Sequence, residues 1–360
     1  MIEYISQEMT NALMAWFELH RRKMPWRGSH DPYHIWVSEM MLQQTQVATV
    51  ENYFLRWIKL FPDVFVLAEA ELEDVLKAWE GLGYYTRARN FHKGAKYIVE
   101  NATSQKDPFP KDYDSWLKVP GVGPYTAAAV ASIAFAYPAA VVDGNVKRVM
   151  SRLFCMDEDV ATQKYHKRLY AIMNKAFYDY HPGWVNQAWM ELGALQCTPN
   201  PDCSICPLIN DCQAYAKGTI SKYPLRSKRK KIPTRYGAAF IIENDNKTLV
   251  LRRPSEGFLG GLWEYPSFTL KEENPEYLGS FCKKHDIDIV QELPQKVKHT
   301  YSHFHQELTL YKAKLSPGSL FGAWPEMRKV NSSEMEDLPR SKVTIKISEI
   351  IALAKDKKNS

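Results

Sequence analysis

The chain changes texture at one place, and that break decides how it can fold. Before "PLRSKRKKIPTR" (224–235) apolar residues recur at helical spacing; after it they alternate in short, strand-like runs. The break itself holds two prolines and a run of basic side chains, which marks an exposed connector. At 360 residues the chain is long enough for a separate core on each side. The helical part includes "HIWVSEMMLQQTQVATVENYFLRWIKLF", "ELEDVLKAWEGL", "YTAAAVASIAFA" and "GNVKRVMSRLF", parted by turns such as "GSHDP", "KDPFPKD" and "PGVGP". In the second part "RYGAAFIIEN", "KTLVLRRP", "LWEYPSF" and "HQELTLYKAKL" read as strands. There "NDN" reads as a hairpin turn, and "PEYLGSFCKKH" and "TIKISEIIALAK" as helices. The expected layout is a mainly α region over 1–216, a basic linker over 217–235 and an α+β domain over 236–360.

Composition narrows the partners. The chain is 45% hydrophobic and 24% charged, as a soluble globular protein is, and no apolar run reaches membrane-spanning length. Its first residues form an amphipathic helix pattern without a signal peptide's charge order or cleavage site. An intracellular, cytoplasmic protein without a membrane partner is expected. The net charge of +6 permits a polyanionic partner without requiring one.

Four of the six cysteines crowd into "CTPNPDCSICPLINDC", where Cys197, Cys203, Cys206 and Cys212 are spaced C-x5-C-x2-C-x5-C. Cys155 and Cys282 stand apart. Four thiols this close, in a chain with no export signal, point to a metal site rather than disulfides. Spacing leaves zinc and a 4Fe–4S cluster both open, although zinc ribbons commonly show two C-x2-C pairs and only one is present.

In "LKVPGVGPYTAAAV" (117–130), Gly121 and Gly123 can take positive φ, and Pro124 suits a first helical position. With "DYDSWLK" ahead of it the segment reads helix–hairpin–helix. The turn Gly121-Val122-Gly123 would then aim helix N-terminal N–H groups at a phosphate. The same spacing also serves a plain corner between two helices.

The hairpin, "VVDGNVKRV" some twenty residues on and the cysteine loop together resemble the endonuclease III superfamily of helix–hairpin–helix DNA glycosylases. "PWR", "DPYHIWVSEMMLQQTQV", "WEGLGYYTRARN", "NQAWMELGA", "GGLWEYP" and "HTYSHFH" resemble its MutY-type adenine-specific branch over nearly the whole chain. The resemblance implies a six-helix barrel with a 4Fe–4S domain on Cys197, Cys203, Cys206 and Cys212, joined to a Nudix-like domain. It further implies removal of adenine mispaired with 8-oxoguanine, or with guanine, from double-stranded DNA. A bacterial-type, nucleoid-associated monomer is the implied setting. The family usually has six residues between its first two cluster cysteines; here there are five.

The chemistry needs two carboxyl groups in opposite states, because a purine leaves protonated while its sugar turns cationic. Glu39, among apolar neighbours in "WVSEMML", fits the protonated acid aimed at adenine N7. Asp143 fits a carboxylate that caps the next helix and is held ionised, with a lowered pKa, by its N–H groups. Asn145 resembles the family's companion to these acids. Tyr125 stands where lyase-active relatives carry a lysine, so no Schiff base is expected; its hydroxyl would bond a catalytic carboxylate or support a covalent sugar–Asp143 intermediate. By the same resemblance Arg22, Trp26, Leu42 and Gln187 line the adenine pocket, and Gln44 and Tyr84 wedge into the duplex. Tyr301, Ser302 and His303 would recognise 8-oxoguanine. The second domain lacks the acidic Nudix cluster after "GGLWEYPSF", which leaves it a binding role. The competing readings are a thymine- or oxidised-pyrimidine glycosylase, a non-catalytic DNA-binding protein and a Nudix-type nucleotide hydrolase.

Overall fold

The computed structural model describes residues 4–227, 231–272, 274–315 and 326–359. Positions 228–230 of the basic connector therefore lie outside the described residues. The chain divides into two compact units, one of Met1–Glu69 with Lys93–Arg229, the other of Ala70–His92 with Lys230–Ser360.

The first unit is helical. It holds α1 (Gln7–His20), α2 (Pro32–Leu42), α3 (Val47–Leu60) and α4 (Val64–Glu69). Beyond α5 (Leu72–Ala78) of the other unit come α6 (Thr86–Asn101), which joins this unit only from Lys93 on, α7 (Tyr113–Trp116), α8 (Pro124–Phe135) and α9 (Gly144–Leu153). Then follow α10 (Gln163–Met173), α11 (Pro182–Glu191) and α12 (Gln213–Ala216). Side-chain caps fix several starts: Asp31 accepts from the Tyr33 N–H at 2.8 Å and Asp112 from that of Ser115 at 2.8 Å. The sequence read 34–61 as one continuous helical pattern. The chain instead breaks between α2 and α3, where Gln44 takes a left-handed φ of 62°.

α2 and α8 carry few polar side chains on any face, and both are buried almost all round. The alanines of α8 let the two helices pack together, and the Gln43 amide donates to Thr126 Oγ1 across them at 3.2 Å. A second cluster joins Leu13 and Phe17 of α1 to Met150 of α9, Leu169 of α10 and Trp189 of α11, all fully buried. Each such side chain is worth roughly 1.5–3 kcal/mol relative to exposure.

The second unit is a mixed sheet with helices. Its strands are β1 (Thr234–Asn244), β2 (Lys247–Arg252), β3 (Trp263–Glu264), β4 (Ser267–Leu270), β5 (Ile287–Thr300), β6 (His305–Leu315) and β7 (Glu326–Val330). The order is β3-β2-β1-β6-β5, with β4 also on β1 and β7 on β2; β1 and β6 are parallel, the other pairs antiparallel. Asp245 and Asn246 both take positive φ in the turn between β1 and β2, the geometry a two-residue hairpin requires. Phe281 of α13 (Pro275–Lys284) stacks on Phe240 at 5.6 Å. Val343 and Ile347 of α15 (Lys342–Asn359) join a separate cluster with Ile241, Leu308 and Leu310, so the sheet has apolar packing on both faces. α14 (Ser332–Asp337) follows β7. The layering is the α+β architecture expected. The unit also takes in 70–92, a stretch the sequence placed with the helical region.

Candidate active site

Burial and one hydrogen bond define the state of Glu39. Its side chain hangs from the fully packed α2 and is only 6% exposed. Burial drives its pKa up to about 7; the negative charge of Asp143 adds to the rise, while a hydrogen bond from Tyr125 and the charge of Arg27 oppose it. The Tyr125 hydroxyl, on the first turn of α8, donates to Glu39 Oε2 at 2.6 Å. Burial, followed by the charges of Glu39 and Asp143, holds that hydroxyl well above its usual pKa, so it stays protonated and remains a donor.

Asp143 caps α9: its Oδ1 accepts from the Val146 N–H at 2.7 Å and its Oδ2 from the Asn145 amide at 3.0 Å. Arg148 in turn donates to Asn145 Oδ1 at 2.9 Å and to the Gly193 carbonyl at 2.7 Å, fixing the amide's direction. The extended residues before Asp143 are held by side chains instead of a sheet. Asn174 Oδ1 takes the Ala140 N–H at 2.9 Å, and Asn186 Oδ1 takes that of Val141 at 3.0 Å. α11 ends in a π turn (Leu192–Gln196), and a Cβ on Gly193 would stand 2.6 Å from Asn145 Cβ. Only glycine allows that approach. One expectation fails: the Asp143 pKa is raised. Burial is the largest influence and outweighs the helix N–H, the Asn145 amide and the charge of Arg148.

A cavity of about 270 Å³ opens beside these groups, and it lies within the first unit. Glu39, Tyr125, Asp143 and Asn145 line it, as do Arg22, Trp26, Leu42 and Gln187. Trp26 is both wall and core, packing edge-on to Phe54 at 5.3 Å. Sequence reasoning missed Glu191, at the end of α11 and 1% exposed. Its carboxylate takes the Arg22 fork at 2.9 and 2.8 Å and the Arg27 fork at 2.9 and 3.1 Å. Burial alone would raise its pKa, but the two arginines outweigh burial and bring it down to about 2. The signal was present in "NQAWMELGA", where a carboxylate sits at the end of an otherwise buried helix, but nothing local names its partners 169 and 164 residues away.

The residues expected to touch DNA lie in several places. In the α7–α8 hairpin Gly121 takes φ 81°, whereas Gly123 is an ordinary extended N-cap with φ −96°, so only one of the two glycines uses its freedom. Val122 is buried and its N–H bonds the Val119 carbonyl at 3.0 Å, which pins the turn. Gln44 lies in the first unit and Tyr84 in the second; both have left-handed backbones, and Tyr84 is 45% exposed. Tyr301, Ser302 and His303 form the tight turn from β5 into β6, closed by the Tyr301 N–H on the Phe304 carbonyl at 2.9 Å. Ser302 and His303 face solvent. The Tyr301 ring is half-buried and rests at 4.9 Å on both Phe258 and Phe304.

Cys197, Cys203, Cys206 and Cys212 are half-buried and unpaired. Three of them pack against the α1–α11 core, and burial followed by its cysteine neighbours pushes the Cys206 thiol up to about 11. The short loop after Cys197 is clamped by buried Arg152, which donates to the Thr198 and Pro199 carbonyls at 2.6 and 3.0 Å and lies 3.4 Å from Cys197 Sγ. Gln196 bonds the Asp202 carbonyl from the other side. Among the described residues no three His, Cys, Asp or Glu side chains are set to hold a single ion. Four thiolates are also the donor set of a 4Fe–4S cluster. An all-thiol donor set of four, brought to one loop, suits the cluster. Among the described residues no helix is long and apolar enough to cross a membrane.

Comparison with known proteins identifies both regions of the chain. Residues 37–175 match the HhH-GPD superfamily of base excision DNA repair proteins and residues 237–349 match a NUDIX domain. An adenine DNA glycosylase of Buchnera aphidicola (subsp. Schizaphis graminum) is 34% identical over 294 residues, covering 81% of this chain and 83% of that one. The adenine DNA glycosylase of Mus musculus is 32% identical over 381 residues, covering 87% and 73%. Among solved structures, a thermostable thymine-DNA glycosylase matches 58% of this chain and 95% of its own at 26% identity, with a TM-score of 0.53. Its helical fold is shared, but the likeness spans only part of the chain. Identity sustained across both regions is what decides kinship, and on it the chain belongs to the adenine DNA glycosylase family.

Proposed function

We propose that the protein excises adenine opposite 8-oxoguanine, and opposite guanine, from duplex DNA in base-excision repair. The observation that carries the proposal is a buried, protonatable glutamate beside a second carboxylate in one cavity. The adenine must leave the stack to be reached, and the pocket of Arg22, Trp26, Leu42 and Gln187 receives it between apolar walls and polar edges. Because Arg22 is held by Glu191, it presents a fixed hydrogen-bonding edge. Glu39, with a pKa of about 7, is half protonated near neutral pH and gives its proton to N7 as the glycosidic bond breaks. Asp143, aligned by Asn145, stabilises the cationic sugar and can trap it covalently.

Burial raises the Asp143 pKa in the free protein, and positive charge developing on the sugar beside it favours its ionised form. Tyr125 orients Glu39 and offers no amine, so strand cleavage through an imine is not expected. A 4Fe–4S cluster held by Cys197, Cys203, Cys206 and Cys212 would cross-link the loop beside α9 and leave proton transfer to the side chains above. The hairpin Gly121–Gly123 grips backbone phosphate, Gln44 and Tyr84 fill the gap left by the flipped base, and Tyr301, Ser302 and His303 read the 8-oxoguanine.

A panel of duplexes tests the proposal. Adenine release is expected from A:8-oxoG and A:G, none of thymine from G:T, and no borohydride-trapped protein–DNA adduct. Release of thymine but not adenine would overturn it.

A further inference from the structure

The turn carrying Tyr84 is built into the second unit. Trp79 Nε1 donates to the Gly83 carbonyl at 3.0 Å, and Arg87 donates to the Leu82 and Gly83 carbonyls at 3.1 and 3.2 Å. The Arg87 guanidinium also lies over the Trp79 and Tyr84 rings, at 5.2 and 5.6 Å. This local set holds Tyr84 in its left-handed conformation with the ring exposed.

Each flank of the turn is then tied to residues far along the chain. Before it, Glu80 Oε2 accepts from the Arg340 N–H at 3.0 Å, and Lys77 bonds the Glu336 carbonyl. After it, the Tyr85 hydroxyl donates to the Arg340 carbonyl at 2.7 Å. Arg89, only 7% exposed, donates to the Gly260 carbonyl at 2.8 Å and to the Gly257 carbonyl at 2.8 Å. Those carbonyls bracket Phe258. Its ring meets Tyr301 edge-on at 4.9 Å and His303 edge-on at 5.4 Å.

A buried fork thus grips, on one side, the helix that begins just after Tyr84 and, on the other, the short loop supporting the Tyr301–His303 turn. We infer that Arg89 is a positioning residue that couples the lesion-reading turn of β5–β6 to the wedge Tyr84, through Gly257, Phe258 and Gly260. The inference rests on the roles proposed above for Tyr84, Tyr301 and His303. It makes lesion identity and wedge placement one linked variable: a base seated against Tyr301 and His303 favours the loop position that Arg89 transmits to the Tyr84 turn. Such coupling is shown only by energetic cycles, because spatial continuity alone does not demonstrate it.

The experiment compares adenine release from A:8-oxoG and A:G duplexes under single-turnover conditions, with full-length wild type, Arg89→Lys, Phe258→Ala, the double variant and Tyr301→Ala. Duplex affinity is measured alongside, on a non-cleavable adenine analogue. Arg89→Lys keeps the charge but cannot span both carbonyls. The expected result is a loss of about tenfold in the preference for A:8-oxoG over A:G, within the usual range of intersite coupling. Release from A:G should stay near the wild-type rate, and the double variant should lose no more than the worse single one. An equal fall on both duplexes, or losses that multiply, overturns the coupling. Phe258 is partly exposed, so its variant retains a readout if Arg89→Lys folds poorly. Should Tyr301→Ala leave discrimination intact, the lesion-reading role itself fails. Should Tyr301→Ala lose it while Arg89→Lys and Phe258→Ala keep it, only the coupling fails.

Discussion

α2 and α11 each bring a buried glutamate to the same cavity, and the two could hardly differ more. Glu39 rests near pKa 7 and Glu191 near 2. Both pay for desolvation, so burial alone does not separate them. What does is the company each keeps. Glu191 meets two guanidinium forks, whereas Glu39 meets one phenol, the more distant charge of Arg27 and the negative charge of Asp143. A buried carboxyl surrounded by compensating charge is a strut, and one left nearly alone is a proton store. The difference teaches where to look for an acid on this helical scaffold: at the buried carboxyl whose hydrogen-bond partner carries no charge.

Replacing each glutamate by glutamine should therefore break the pair in opposite ways. Glu39→Gln removes the transferable proton while keeping the shape. Adenine release in single-turnover assays should fall by about 10³-fold or more, as loss of a general acid does; a fall of less than tenfold would sink the acid role. The stability of this variant should go the other way. A carboxyl whose folded pKa lies above its unfolded value favours the fold below about pH 4.5 and loses that advantage as pH rises through 7. Wild type therefore carries the burden above pH 7. Glu39→Gln is expected to gain on the order of 2 kcal/mol in urea unfolding at pH 8 and to lose the slope between pH 4.5 and 7.

Glu191→Gln should show the reverse pattern. Its depressed pKa contributes stability that is present above pH 4.5 and fades as pH falls toward 2. Removing the charge leaves two guanidinium groups facing a neutral amide with one acceptor oxygen where the carboxylate offered two, for a loss of roughly 3 kcal/mol at pH 7. Adenine release by the molecules that remain folded should drop less than in Glu39→Gln. A Glu191→Gln protein as stable as wild type in urea would show that the arginines find other partners.

How much of this contrast was open to sequence reasoning varies by residue. Periodicity gave the helices that matter, and "HIWVSEMML" already placed Glu39 in an apolar helix. The aspartate before "GNVKRV" was legible as a cap. The Arg22–Glu191 pair was not, because hydrogen bonds across 169 residues leave no spacing to read. Nor was the raised pKa of Asp143: the cap is local and visible, but the burial that outweighs it is tertiary. β5 escaped notice for a different reason. It is an edge strand, exposed along most of its length, and its register shifts between Glu292 and Lys296 around Pro294, so neither alternation nor composition marks it. The placement of 70–92 with the second unit is likewise a matter of contacts such as Arg89 with Gly257 and Gly260, not of composition.

The smallest expected effect sharpens the comparison most, because it tests the phenol itself. Tyr125→Phe keeps the ring in place on α8 and deletes only the O–H that donates to Glu39 at 2.6 Å. That bond favours the ionised carboxylate, so its loss raises the Glu39 pKa further. The alkaline limb of the rate profile for adenine release should move to higher pH by roughly one unit, the size expected for a charge-assisted hydrogen bond. At neutral pH the fraction of protonated acid rises while its aim loosens, and the two changes oppose each other. The net rate at pH 7 should stay within about tenfold of wild type. A limb that stays put would mean that Tyr125 does not set the acid's proton affinity, and the distinction between the two glutamates would then rest on Arg22 and Arg27 and on the charge of Asp143.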